Sequence, residues 1–216
     1  MRAVNVARIA PACHDARVTD LASISAVIPA AGRSGRMGAT KPLMALGGKT
    51  VLDVVLDAFR AAGVGEAIVV TGHDGARLIP VVERAAARWV ENPRPERGMF
   101  SSVQVGCAAV RRGAGALFIH PADVPLVQPA TLRLLAARLA AGGRRIVVPA
   151  CGGRRGHPPL LDASLVPSLL AYAGDGGLRG FLAAHADELE VVPCDDPGVA
   201  LDMDTPQDYE RIRQRG

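Results

Sequence analysis

From residue 24 onward, short β-branched apolar runs alternate with longer stretches whose apolar residues recur every three to four positions. The runs Ala26–Ala30, Ala67–Thr71, Trp89–Asn92, Ala116–His120, Ile146–Pro149, Leu189–Pro193 and Val199–Met203 have the length and composition of strands. After the first of them, Thr50 with Asp53 three positions on has the sequence of a capping box. Val51, Leu52, Val55, Leu56 and Phe59 then follow at helical spacing, and Gly63 suits a left-handed helix exit. A second stripe, Leu132, Leu135 and Leu139, runs out at Gly142-Gly143. Strands alternating with helices predict an α/β fold, a three-layer sandwich around a mostly parallel, Rossmann-like central sheet. Pro29 has no N–H to give a sheet ladder, so the first strand either ends there or pairs irregularly.

The residues that do not fit a packing role cluster by position. Ala31-Gly32, Gly72-His73, Asn92 and Asp123 each fall at or just past the end of an expected strand, and open α/β sheets bind ligands along that carboxyl edge.

Composition narrows the function classes. Hydrophobic residues are 49% of the 216 and charged residues 21%, enough to bury a core, and no compositional break divides residues 24–216, which are expected to form one domain. Residues 1–23 read as a flexible extension; Asn5, Arg8, His14, Asp15 and Arg17 interrupt any signal-peptide core. No run reaches the roughly 18 apolar residues of a membrane span. The four cysteines are dispersed, with no C-x-x-C pair, as in reduced proteins. A cytoplasmic protein with no membrane partner is expected. Aromatics are only 3%, and the net charge of +4 comes from scattered arginines rather than a basic block, which argues against nucleic acid as a partner.

The first strand runs into a glycine-rich loop, Ala30-Ala31-Gly32-Arg33-Ser34-Gly35-Arg36-Met37-Gly38-Ala39-Thr40-Lys41-Pro42. Its small residues let a phosphate or sugar approach the main chain, its N–H groups can turn toward an anion, and Arg36 and Lys41 add positive charge. Preceding a proline, Lys41 is expected on an extended segment. Three other loop types fail on spacing. A dinucleotide fingerprint needs G-x-G-x-x-G, where this loop has G-x-x-G-x-x-G; a Walker loop ending at Gly48-Lys49-Thr50 needs glycine where Leu43 stands; and a nucleophile elbow at Ser34 would need glycine in place of Arg36.

The pattern A-A-G-x-S-x-R-M-G-x-x-K resembles the signature of the molybdenum-cofactor nucleotidyltransferases, within the wider class that includes sugar-phosphate and methylerythritol cytidylyltransferases; the resemblance spans roughly residues 24–213. It implies a fold of the nucleotide-diphospho-sugar transferase type. The loop would wrap an NTP triphosphate through Ala30, Ala31, Gly32, Ser34 and Gly35, with Arg36 and Lys41 as its charge-stabilising pair. Gly72 and Asn92 lie at the same edge. Gly98-Met99-Phe100-Ser101-Ser102 resembles a segment that opens a helix and touches base and ribose, although Ser101 or Ser102 read alone is an N-cap.

Pro121-Ala122-Asp123-Val124-Pro125 matches the family's metal-binding stretch, so Asp123 implies a Mg²⁺ ligand and a catalytic residue, and an aspartate at a strand edge suits that hard ion. Leu201-Asp202-Met203-Asp204-Thr205-Pro206 resembles D-I-D-T-P; Asp202 or Asp204 would complete the Mg²⁺ site, Asp204 by the match, while Thr205-Pro206 also reads as a helix start. Gly156-His157-Pro158 resembles the segment facing the second substrate, and Asp175–Arg179 a weaker stretch of the same pocket.

The activity so implied is CMP transfer from CTP to the terminal phosphate of molybdopterin. CTP is favoured because Ala30-Ala31-Gly32 resembles the cytidylyl branch, the guanylyl branch having A-G-G. GTP, or another phosphorylated acceptor such as a sugar or alcohol phosphate, stays open, as does contact with a molybdoenzyme or its chaperone. A non-catalytic nucleotide-binding chaperone module would be expected to lack an intact set of Arg36, Lys41, Asp123 and Asp204, and all four are present.

Overall fold

The computed structural model describes residues 20–32 and 40–215. In chain order the elements are β1 (Ile24–Pro29), β2 (Ala45–Leu46), β3 (Lys49–Thr50), α1 (Val51–Ala62), β4 (Glu66–Thr71), α2 (Gly75–Arg84), β5 (Arg88–Glu91), α3 (Met99–Ala109), β6 (Ala116–Ile119), α4 (Pro129–Ala140), β7 (Ile146–Cys151), β8 (Arg154–Arg155), β9 (Leu160–Asp162), α5 (Val166–Ala171), α6 (Gly177–Ala184), β10 (Leu189–Pro193) and α7 (Pro206–Arg213).

The central sheet runs β10-β7-β9-β6-β1-β4-β5, with β8 paired on β7. β1 pairs in parallel with β4 and β6, β4 with β5, and β10 with β7; β9 is antiparallel to both its neighbours. Strands covered on both faces are apolar throughout, and β1 is buried from end to end. One apolar cluster joins Ile24, Ala26 and Ile28 to residues of α1, α2 and α4; the opposite face joins Val27 and Val70 to α3, α5 and α6. Gly106 brings α3 onto the sheet, since a Cβ there would stand 2.3 Å from Val27 Cγ1. This is the expected three-layer α/β sandwich.

Local chemistry accounts for the clearest boundaries. The α1 capping box is formed in both directions, Asp53 N donating to Thr50 Oγ1 at 3.1 Å and Thr50 N to Asp53 Oδ2 at 3.0 Å, and Gly63 ends the helix at φ 95°. Thr205 and Asp208 form a second capping box on α7, with Pro206 in the first turn. Pro29 is the last residue of β1; Ala30 N then donates to Val70 O at 2.9 Å, so the ladder resumes one residue past the proline.

Two parts of the chain depart from expectation. Val199–Met203 is not a strand: Pro197–Ala200 is a 3-10 turn and residues 201–204 are irregular. Asp196 Oδ1 accepts from Gly198 N at 2.9 Å, and Met203 N donates to Asp123 O at 3.0 Å, so this backbone is satisfied by loops rather than by a ladder. The antiparallel β9 is additional to the expected strands. Of the 1–23 extension, residues 1–19 lie outside the described residues; Asp20 caps a 3-10 turn, Leu21–Ser23, whose Leu21 O accepts from Gly65 N at 3.2 Å. Among the described residues no helix is long and apolar enough to cross a membrane.

Candidate active site

Lys41 stands where three loops meet at the carboxyl edge of the sheet. It opens a 3-10 turn, Lys41–Leu43, instead of lying on an extended segment. The turn closes through Leu43 N to Thr40 O at 2.8 Å and Met44 N to Lys41 O at 3.1 Å, and Pro42 sits where its missing N–H costs no bond. The ammonium lies 2.8 Å from Asp204 Oδ1 and 3.3 Å from Asp123 Oδ2. Burial works against its charge, but the Asp204 hydrogen bond and the Asp123 carboxylate outweigh it and hold the pKa above the ordinary lysine value. Ser34, Gly35 and Arg36 lie outside the described residues.

A cleft of about 470 Å³ is lined by Pro29, Ala31, Gly32, His73, Glu96 and Met99 among others, and joins the turn that carries Asp123 through Pro29, whose O accepts from Ala122 N at 3.2 Å. Ala31 is packed closely from behind: a Cβ on Gly72 would stand 2.8 Å from both Cβ and O of Ala31. Ser102 also lines the cleft, held with Ser101 by Asn92, whose Nδ2 donates to Ser101 Oγ at 2.8 Å and Ser102 Oγ at 2.9 Å. Neither serine caps α3. The N-cap position is Gly98, at φ 89°, and Ser101 Oγ bonds Gly98 O from within the first turn. Pro95 and Glu96, which no sequence motif marked, enter the lining through the 3-10 turn preceding Gly98.

Asp123 is carried by a turn hung on neighbouring strands. His120 N donates to Val27 O at 2.9 Å, Ala122 N to Pro29 O at 3.2 Å, and His120 Nε2 to Val124 O at 2.8 Å. Burial, aided by the nearby His157, pushes the His120 pKa down to about 3 against the Val124 carbonyl. The unfolded chain therefore takes up this proton first as pH falls, so stability present above about 6.5 is lost progressively toward about 3. His157, also depressed by burial, acts in the same direction. Asp53 and Glu66 are held below their ordinary values and contribute only at lower pH. Urea unfolding should show a loss of roughly 2 kcal/mol from His120 between pH 7 and 5. A flat profile over that window would contradict the assignment.

Gly156, His157 and Pro158 lie between β8 and β9. Gly156 N donates to Pro149 O at 2.8 Å and His157 N to Val199 O at 2.7 Å; a Cβ on Gly156 would meet Val199 O at 2.1 Å, so only glycine fits. Asp202 bears on His157, while Asp204 turns to Lys41. Asp175–Arg179 runs into α6, where Gly177 lies against Phe100 of α3.

Sequence reasoning missed Asp196, which fastens the Pro197–Ala200 turn to the start of α4. Buried at 3% exposure, its Oδ2 accepts from Gln128 N at 2.8 Å and Thr131 Oγ1 at 2.7 Å at the start of α4. Asp196→Ala is expected to cost roughly 3 kcal/mol in urea unfolding, with three acceptor bonds lost from one buried carboxylate. A loss below about 1 kcal/mol would show that water replaces it.

The family model described as the MobA-like NTP transferase domain matches residues 26–189. The chain is 31% identical over 203 residues to a phosphoenolpyruvate guanylyltransferase of Rubrobacter xylanophilus, covering 90% of this chain and 95% of that one. It is 31% identical over 216 residues to a molybdenum cofactor guanylyltransferase of Sinorhizobium fredii, covering 92% and 94%. At 27% identity over 201 residues it is similar to a nicotine blue oxidoreductase of Paenarthrobacter nicotinovorans, covering 90% and 98%. Among solved structures, a nucleotidyl transferase from Methanothermobacter superposes with a TM-score of 0.78 at 30% identity, covering 89% and 96%. Rv0371c of Mycobacterium tuberculosis in complex with manganese superposes at 0.74 and 28% identity, covering 88% and 97%.

Proposed function

The chain belongs to the MobA-like NTP transferase family and is a nucleotidyltransferase, and from that premise we propose that it transfers CMP from CTP to the terminal phosphate of molybdopterin, releasing pyrophosphate. The observation that carries the reading is the Lys41 ammonium, set between Asp204 and Asp123, the latter on a turn bonded to Pro29 of a cleft also lined by Ala31, Gly32 and Ser102.

Two carboxylates that converge on one cation form a donor set fitting a hard divalent ion, which needs only one or two such ligands when substrate phosphates supply the rest. Asp123 and Asp204 would hold Mg²⁺, and the manganese complex of a similar fold supports a divalent ion. When bound, it would neutralise charge on the phosphate oxygens. Ala30, Ala31 and Gly32, with Ser34, Gly35 and Arg36 of the same loop, take the triphosphate. Asn92 orients Ser101 and Ser102 toward base and ribose, and Gly72 leaves room for Ala31. Gly156, His157 and Pro158 face the acceptor.

The acceptor phosphate, with a second pKa near ~6, is already ionised at neutral pH and needs no strong general base. Its oxygen bonds to the α-phosphorus as the bond from that phosphorus to the bridging oxygen breaks, and the electron pair leaves with pyrophosphate. Lys41 and Arg36 stabilise the charge that shifts onto the leaving group, and the loops contribute in-line positioning.

GTP is the second reading, favoured by the two relatives named as guanylyltransferases. Ala31 lines the cleft, and its methyl restricts room that a second glycine would leave. The test is pyrophosphate release from CTP, GTP, ATP and UTP with Mg²⁺ and molybdopterin, beside phosphoenolpyruvate and a sugar phosphate as acceptors. CTP turnover confined to molybdopterin supports the proposal, and Ala31→Gly should then shift the CTP-to-GTP preference by roughly tenfold toward GTP. No pyrophosphate release from any nucleotide with molybdopterin would sink it.

A further inference from the structure

Thr40 stands one residue before Lys41, yet its hydroxyl serves no element of its own. It is 7% exposed and makes no side-chain cap bond to the Lys41–Leu43 turn that it precedes. Its Oγ1 donates instead to Asp74 Oδ2 at 3.1 Å and accepts from Arg77 Nη1 at 2.8 Å. The partners fix these roles, since a carboxylate can only accept and a guanidinium only donate. Both bonds are charge-assisted, the stronger kind.

Asp74 gives up a local role to make its bond. It holds the N-cap position of α2, where an aspartate ordinarily accepts from the helix's own N–H groups, and makes no such bond. The same connection meets the chain on the other side of residues 33–39: Ala30 N donates to Val70 O at 2.9 Å, and Gly72 lies against Ala31. His73, between Gly72 and Asp74, lines the cleft.

The hold on Thr40 carries to Lys41 through the turn that joins them. Leu43 N donates to Thr40 O at 2.8 Å and Met44 N to Lys41 O at 3.1 Å, and Met44 O accepts from Val51 N of α1 at 2.9 Å. The far end of the turn is thus tied to α1, and the Thr40 side chain ties the near end to α2. Lys41 depends on such support, because its ammonium meets Asp204 at 2.8 Å and Asp123 at 3.3 Å on two separate segments. A displacement of about 1 Å would lose that geometry.

We propose that Asp74 and Arg77 are positioning residues for the transfer reaction: through the Thr40 hydroxyl they set the Lys41 ammonium between Asp123 and Asp204. The kinetic consequence rests on the proposed role of Lys41 in transfer; the placement of Lys41 does not.

The chain has two lysines, Lys41 and Lys49, so the full chain labelled with ¹³Cε,¹⁵Nζ-lysine gives two side-chain signals, which Lys49→Arg assigns. Thr40→Val keeps the shape and removes the hydroxyl, whereas Thr40→Ser keeps the hydroxyl. The Lys41 signal should move in Thr40→Val, Asp74→Ala and Arg77→Met and stay in place in Thr40→Ser, with Lys49 still throughout. An unmoved Lys41 signal in Thr40→Val and Asp74→Ala overturns the placement whether or not the enzyme turns over. In pyrophosphate release, Thr40→Val should lower kcat roughly tenfold with the nucleotide KM within about twofold, and Thr40→Ser should recover most of the rate. Adding Asp74→Ala to Thr40→Val should cost little more, as for residues that act as one unit. A wild-type rate in Thr40→Val, or losses that multiply in the double variant, overturns the positioning role. Should Thr40→Val not fold, Asp74→Ala and Arg77→Met, at less buried positions, carry the same readings.

Discussion

Lys41→Ala is expected to lower nucleotidyl transfer about a thousandfold while leaving the fold within about 1 kcal/mol of wild type. The large effect follows from charge. Held above the ordinary lysine pKa by Asp204 and Asp123 against burial, Lys41 remains a cation at neutral pH and cannot act as a base. Its value is a fixed positive charge, and a preorganised group of this kind contributes most in the transition state. The small effect on stability follows from exposure. Asp204 is 57% exposed, so once the ammonium is gone it can swing into water rather than face Asp123. Lys41→Arg should not restore the rate, because a planar fork cannot replace a compact ammonium between two carboxylates at 2.8 and 3.3 Å. Pyrophosphate release beside urea unfolding separates the two effects. A rate within tenfold of wild type would remove Lys41 from the chemistry, and a parallel collapse of stability would make its role structural.

The layers of the fold were legible because buried parallel strands and amphipathic helices leave different periodicities, and because α1 carries its cap and exit in its own sequence. β9 was not legible. Three residues behind Pro158-Pro159 show no alternation, and their pairing with β6 and β7 is decided by chain returning from elsewhere. Val199–Met203 failed for the opposite reason: it has strand composition, but Pro197-Gly198 and the Asp196 side chain commit it to a turn.

The proposed site divides along the same line. Residues displayed by one strand end, such as Asn92 and Asp123, can be named as candidates because local position announces them. Asp196 cannot be, since an aspartate before Pro-Gly reads as an ordinary turn while its decisive partners, Gln128 and Thr131, lie more than sixty positions away. Lys41 is a candidate by motif and charge, yet its backbone is not extended as expected, because a single 3-10 turn tolerates Pro42 in its first positions.

Asp123→Asn should match Lys41→Ala in size, about a thousandfold in rate, while Asp204→Asn should lose only roughly tenfold. Both residues touch the same ammonium, so the difference comes from how firmly each is held. Asp123 is 22% exposed on a turn tied to β1 through Ala122 N and joined through its own carbonyl to Met203 N, whereas Asp204 is more than half exposed at the start of α7. Asparagine keeps the shape and one acceptor oxygen but removes the charge a divalent ion requires. If the carboxylates serve the metal, raising Mg²⁺ or Mn²⁺ should recover Asp204→Asn, whose remaining ligand set is weakened, and leave Asp123→Asn inactive. If they serve only to hold Lys41, both variants should resemble Lys41→Ala and be indifferent to metal concentration, and the metal would then have to be held by other groups.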